Sequence, residues 1–226
     1  MSLIENFDYY YYIFFLLVSY GVYNLYEPVK IALDNNEKFK KYDIGKRYYI
    51  IKNFIKSALM AIIFIAMVFV FIPNILNGNW NDSHNRLIGV FYVSNDLAGL
   101  FAVPNLPKST RLHHYTTVFL FTLICAISTE DETIGRLIVI YTIYSCIPFM
   151  VNTYLGLRFF YTRGNELTDK QKQVNRIIDI NRVVSYYVYM ICCFFNWSYH
   201  SYFLAKKISL NELSFEYYIY YLLLIP

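Results

Sequence analysis

The sequence predicts an all-α fold, a polytopic transmembrane helical bundle of about seven helices, on three observations. The chain is strongly apolar, its apolar residues gather into runs of bilayer length, and its basic residues fall almost entirely in alternate loops. Of 226 residues, 57% are hydrophobic and 16% charged, with a mean hydropathy of +0.34, whereas an average soluble domain carries about 25% charged residues. A water-soluble core of this size could not enclose that much apolar surface. The 25 Tyr and 19 Phe suit a membrane better, because tyrosine keeps its ring in apolar surroundings and its hydroxyl at the wet headgroups.

A spanning helix needs about 20 apolar residues, since the hydrocarbon core is about 30 Å thick and each helical residue rises about 1.5 Å. Seven runs meet or approach this: Tyr9 to Tyr26, Phe54 to Asn74, Leu87 to Val103, His113 to Ser128, Arg136 to Phe159, Val183 to Leu204, and Ile208 to Pro226. The second, fifth and sixth are the strongest. The third contains Asp96, the fourth is short, and the seventh contains Asn211, Glu212 and Glu216. Glu5 and Asp8 precede the first run and no Lys or Arg does. A cleaved secretory signal begins with a basic region, so this run is expected to remain as a helix.

Lys and Arg accumulate on the cytosolic side of membrane proteins. Sixteen lie in the odd loops: Lys30, Lys38, Lys40, Lys41, Lys46, Arg47, Lys52 and Lys56 in the first, Lys108 and Arg111 in the third, and Arg158, Arg163, Lys170, Lys172, Arg176 and Arg182 in the fifth. Only Arg86, Arg136, Lys206 and Lys207 lie in the even loops, where Glu130, Asp131 and Glu132 add negative charge. The amino terminus is therefore expected to be lumenal or extracellular and the carboxyl terminus cytosolic. The net charge of +4 is spread over loops and forms no basic face with interleaved stacking residues, so no nucleic-acid partner is expected.

Cys125, Cys146, Cys192 and Cys193 sit inside apolar runs without the paired spacing of zinc ligands, so they read as buried free thiols, with no metal and no disulfide framework. No GxGxxG, P-loop, HExxH or GxSxG pattern occurs, and no cofactor is expected. Chemistry must come from polar residues at membrane depth, where an ionisable group is costly unless it meets a partner or a cavity. Asp96 lies about 10 Å from the cytosolic end of its run at about 1.5 Å per residue. Asn152 lies at a similar depth. His113 and His114 open the fourth run on that side, Asn53 and Ser57 enter on the second, and Asn181 and Arg182 open the sixth. Asn53, Ser57, Asp96, His113, His114, Asn152 and Arg182 are thus expected to line a cytosol-open cavity between the helices. His113, His114 and Asp96 are the candidates for catalysis, because an imidazole titrates near neutrality. A merely interfacial His pair, a structural ion pair at Asp96 and a lipid-anchoring Arg182 are the competing readings.

The run YVSNDLAGLFAVPNLPKSTRLHHYTTV, Tyr92 to Val118, resembles the signature of the TLC domain family: an aspartate in one membrane helix, a short basic loop, and a His-His pair opening the next helix. KNFIKSALMAII from Lys52 and IPFMVNTYLGLRFF from Ile147 are similar to its opening helix and to its later Pro-Phe, Asn and Arg stretch. The resemblance implies a leading transmembrane helix and basic cytosolic loop over 1–46, a TLC-like transmembrane domain over 47–226, and the endoplasmic reticulum as location. Ceramide synthases belong to this family, which would imply N-acylation of a sphingoid base from acyl-CoA. This chain resembles another branch, because Ile140 to Tyr154 lacks the acidic and histidine residues those enzymes carry after the pair, and no His follows Ser57. The expected function is binding or distribution of a membrane lipid. N-acyl transfer and a structural scaffold for an unknown protein partner are the alternatives.

The loop charges predict cytosolic positions near Lys40 and Lys170 and lumenal ones near Asn81 and Asp131. Cysteine labelling in sealed vesicles reads this directly, and lumenal labelling at position 170 would contradict the orientation.

Overall fold

A computed structural model describes residues 7–164 and 166–224. Glu5 and Pro226, used above to judge the first run and to bound the last, lie outside the described residues. No strand occurs among the described residues, and the chain is helical wherever it is apolar. In chain order the helices are α1 (Tyr9–Asn24), α2 (Tyr26–Leu33), α3 (Glu37–Lys40), α4 (Ile44–Ala66), α5 (Ile72–Leu76), α6 (Asp82–Ala102), α7 (Lys108–Ile124), α8 (Ile134–Cys146), α9 (Phe149–Leu157), α10 (Asp169–Ser209) and α11 (Phe215–Leu224).

Short polar side chains mark where these helices begin, each accepting a hydrogen bond from a backbone N–H the first turn leaves free. Asp8 caps α1, Asp43 caps α4, Asn81 caps α6 and Thr133 caps α8. Thr168 and Gln171 form a reciprocal capping box at the start of α10. A single π-helical turn, Met67–Phe71, joins α4 to α5 without a break. Pro148 has no N–H to continue the helix, and α8 and α9 meet there at a bend of 44°.

Among the described residues, two helices are long and apolar enough to cross a membrane: the continuous 33-residue rod Ile44–Leu76 and the 41-residue α10. The bent α8–α9 pair makes a third if it is one span. These helices present large apolar side chains outward: Ile62, Phe69 and Leu76 on the rod, and Tyr186, Met190, Phe194 and Trp197 on α10. A soluble monomer rarely shows so continuous an apolar surface, so lipid is the natural solvent for these faces.

Each of the seven apolar runs holds helix, with different ends, but among the described residues only two helices, or three with the bent pair, reach the length and apolarity of a span. α7 starts five residues before His113, so the His pair lies inside the helix. α10 begins at Asp169, and the basic residues Lys170 to Arg182 are helical instead of forming a loop. At about 1.5 Å per residue it is about 60 Å long, twice the hydrocarbon thickness. The last helix starts only at Phe215, after a turn that holds Asn211 and Glu212. Lys52 and Lys56, counted above as loop charges, are buried in α4.

α6 is the central element, with α1 along one side and α4 and α7 on others; α9 packs on α4, and α10 packs on α8 and α9. Two glycines permit this closeness. A Cβ at Gly89 of α6 would lie 2.8 Å from the Phe121 ring of α7, and one at Gly156 of α9 would lie 2.7 Å from the Phe54 ring of α4. Small residues at crossings let helix backbones approach in a medium where the hydrophobic effect does not press them together. The α6–α7 connection turns through Asn105 at φ 57°, a left-handed conformation that asparagine tolerates better than most residues.

Candidate functional site

Asp96 is fully buried in α6. An ionised carboxylate at that position needs charge partners and hydrogen-bond donors, and the neighbouring helices supply both. From α4, Lys56 places Nζ 2.5 Å from Asp96 Oδ1. From α7, Thr117 donates to Asp96 Oδ2 at 3.0 Å, sharing its one proton with the His114 carbonyl, also at 3.0 Å. His114 and Thr117 are three residues apart, which puts them on one face of α7.

The two imidazoles play different parts. His114 is 1% exposed, with Nδ1 3.0 Å from Asp96 Oδ1. The approach is close but lies off the hydrogen-bond direction, and neither ring nitrogen has an aligned partner among the described residues. His113 also faces the carboxylate, its Nε2 4.0 Å from Asp96 Oδ2, but its side chain is 42% exposed. The rings stand 5.6 Å apart, as expected for adjacent helical residues about 100° apart. The Tyr92 ring, one turn before Asp96, lies 5.3 Å from Lys56 Nζ and receives that cation on its face.

The other predicted site residues stand apart from this cluster. Asn53 is buried, but its amide donates to the Tyr49 carbonyl of its own helix at 2.7 Å. Ser57 contacts the Phe149 carbonyl at 3.2 Å and Thr153 Oγ1 at 2.5 Å, joining α4 to α9. Asn152 donates to Met60 Sδ at 3.3 Å. Arg182 lies on the exposed face of α10, paired with Asp179 at 3.2 Å. These residues make other contacts, because each residue's position around its helix decides what it meets. Lys56 and Thr117 complete the carboxylate's surroundings without having been singled out for it. Thr117 was detectable in principle, one turn past the His pair.

The ligand atoms of Asp96, His113 and His114 lie within 4.8 Å of one another, a nitrogen and oxygen set of the kind divalent cations use. Lys56 decides against that use. Its ammonium already sits against one carboxylate oxygen, where it supplies the compensating charge and would repel a second cation. A cavity of ≈ 20 Å³, lined in part by Tyr92, Thr117, Phe121 and Tyr141, adjoins the cluster between α6, α7 and α8. That is room for about one water and none for an acyl chain. A wider crevice of ≈ 290 Å³ opens at the amino end of α4, between Lys46, Tyr49, the Pro104–Pro107 turn and Arg158.

Chemically, the cluster is a carboxylate neutralised from one side and flanked by imidazoles on the other. One imidazole is sheltered with free nitrogens, and one reaches the surface. Compared with protein-family models, with curated proteins and with solved structures, the chain matches none.

Removing Asp96 alone leaves the Lys56 charge buried without a partner. Asp96→Leu is therefore expected to destabilise the detergent-solubilised protein by about 3 to 5 kcal/mol. Adding Lys56→Met should recover much of that loss, because the paired charges are then both gone. Thermal unfolding of the two single variants and the double variant checks this; a double variant as unstable as the sum of the singles would show that the pair is not coupled.

Proposed function

We propose that this chain is a multi-pass membrane protein with seven crossings, TLC-like in its residue pattern, that holds the polar end of a membrane lipid at the Asp96–His113–His114 cluster. The supporting observation is the pair of imidazoles: His114 buried with both nitrogens lacking an aligned partner, and His113 leading from it to the surface. A buried polar atom without a partner costs about 1 to 3 kcal/mol, which a bound hydroxyl, amine or amide would offset.

The lipid's chains lie outside the bundle in this reading. Leu112, Tyr115 and Phe119 are exposed and recur at helical spacing along α7 beside His113, forming an apolar stripe for an acyl chain. The ≈ 20 Å³ cavity takes no chain, so the site is a groove at the protein–lipid boundary with a polar inner end. By the distribution of basic residues it would face the cytosolic leaflet, and the TLC resemblance favours the endoplasmic reticulum as its location.

Acyl transfer is the second reading, favoured by the 3.0 Å approach of Asp96 to His114, the placement of a carboxylate that orients a general base. Acyl-CoA would be its co-substrate. Two features weigh toward lipid binding instead: Lys56 and Thr117 already engage the carboxylate, and α8 brings no acidic or histidine residue to the pair.

Lipid mass spectrometry of the purified protein should find one lipid class enriched over the host membrane, its retention falling about ten-fold in folded His114→Ala, the effect of one lost polar contact. In cells lacking their own ceramide synthases, expression should leave ceramide unrestored. Ceramide that appears with the wild type and vanishes with folded His113→Ala or His114→Ala would establish the enzyme reading in its place.

A further inference from the structure

One turn before Lys56, α4 buries a second lysine. Lys52 is 4% exposed, and among the described residues no carboxylate lies within ion-pair distance of its Nζ; the charges that bear on it are Lys56 and Asp96, and Asp96 is already engaged by Lys56. This part of the bundle therefore buries two ammonium groups against one carboxylate, and the imidazoles can only add positive charge. Buried charges in proteins are paired or they are costly.

The surroundings of Lys52 are shaped for it. Its stem packs on the bare backbone of Gly99, where a Cβ would come within 3.3 Å of Lys52 Cδ. The same Cβ would lie 3.6 Å from the Tyr26 hydroxyl, so the lysine and the phenol stand side by side over this glycine. Tyr26 is 2% exposed and its hydroxyl has no hydrogen-bond partner among the described residues. Lys52 Nζ lies 5.6 Å from the Tyr49 ring centroid, and Tyr49 is also a wall of the ≈ 290 Å³ crevice that Lys46 and Arg158 border. The carboxylate there, Asp43, caps α4 and pairs with Lys46 at 3.5 Å.

We propose that this region is an anion site, in which Lys52 and the Tyr26 hydroxyl, with Arg158 at the mouth, hold a phosphate group. A phosphate offers several acceptor oxygens to donors on different helices. It also supplies the negative charge that the two lysines and one aspartate lack. The opening lies among basic residues predicted to meet the cytosolic headgroups, so the phosphate of an anionic phospholipid and free phosphate share the required chemistry. The inference goes beyond the lipid reading of the Asp96 cluster and shares with it only the membrane setting.

The full chain in phosphatidylcholine nanodiscs provides the test, titrated separately with phosphatidic acid, phosphatidylglycerol and inorganic phosphate, with native mass spectrometry and thermal unfolding as readouts. Phosphatidic acid or phosphatidylglycerol should bind in preference to phosphatidylcholine and raise the unfolding temperature. Lys52→Met should weaken that binding about ten-fold, as expected for one lost charged contact, while Lys52→Arg retains it. Methionine keeps the unbranched stem over Gly99, so the variant is expected to fold; Tyr26→Phe, which removes only a hydroxyl, gives a second reading of the same site. Binding of inorganic phosphate with the same Lys52 dependence would identify the free ion as a ligand and supports the same chemistry. Anionic and zwitterionic lipids binding alike, or binding unchanged in both folded variants, would overturn the proposal. His114→Ala should leave the anionic preference intact, so failure at the Asp96 cluster and failure here give different results.

Discussion

A carboxylate that no water reaches governs how the central helices can be arranged. Asp96 has no exposed surface, and its two oxygens are met by a lysine from α4 and a threonine and a histidine from α7. Three helices are thereby held at one depth and one rotation. Shifting any of them by a residue turns its side chains through about 100° and takes its partner away from the carboxylate. Packing then follows: the absence of a side chain at Gly89 lets α7 lie against α6 through Phe121, and Phe121 in turn packs at a 49° tilt against Phe15 of α1 with ring centroids 4.8 Å apart.

The opposite end of the same helices is tied by a second, less buried set of charges. Arg86 of α6 pairs with Asp8 at 2.8 Å and donates to the Ile124 carbonyl at the end of α7 at 3.1 Å, while Asp82 accepts from both the backbone and the hydroxyl of Thr129. α6 and α7 are thus fastened at both ends, by Arg86 at one and by the buried cluster and their connecting turn at the other, and α1 joins them at the Arg86 end through Asp8. Between them lies little free volume, which is why the proposed lipid would lie along the outside of α7 with only its polar end directed inward. The wider space is at the amino end of α4, bordered by Lys46 and Arg158.

The all-helical character was legible from the apolar runs, because a long apolar segment satisfies its own backbone as helix, whereas the short helices α2 and α3 lie outside those runs but for Tyr26. The helix ends were less so. The polar first turns of α10, Asp169 to Arg182, look like a loop to a hydropathy argument, although the Thr168–Gln171 capping box is written in the sequence and marks the true start. Asp96 and the His pair stood out by residue type at depth, and the structure brings them together. The roles of Lys52 and Lys56 were hidden, since a lysine near a helix end counts as a loop charge until a carboxylate forty residues away is seen beside it. Asn152 and Arg182 lie at similar depths in the chain's plan but on other faces of their helices, and helix rotation is set by packing that depth does not encode.

An experimental structure of the full chain in a lipid nanodisc, with side-chain density around α4, α6 and α7, tests the central claim most directly. The account predicts Lys56 Nζ in direct contact with Asp96, with Thr117 and His114 against the same carboxylate and lipid excluded from it. Asp96 facing lipid, with Lys56 extended to the membrane surface, would contradict it.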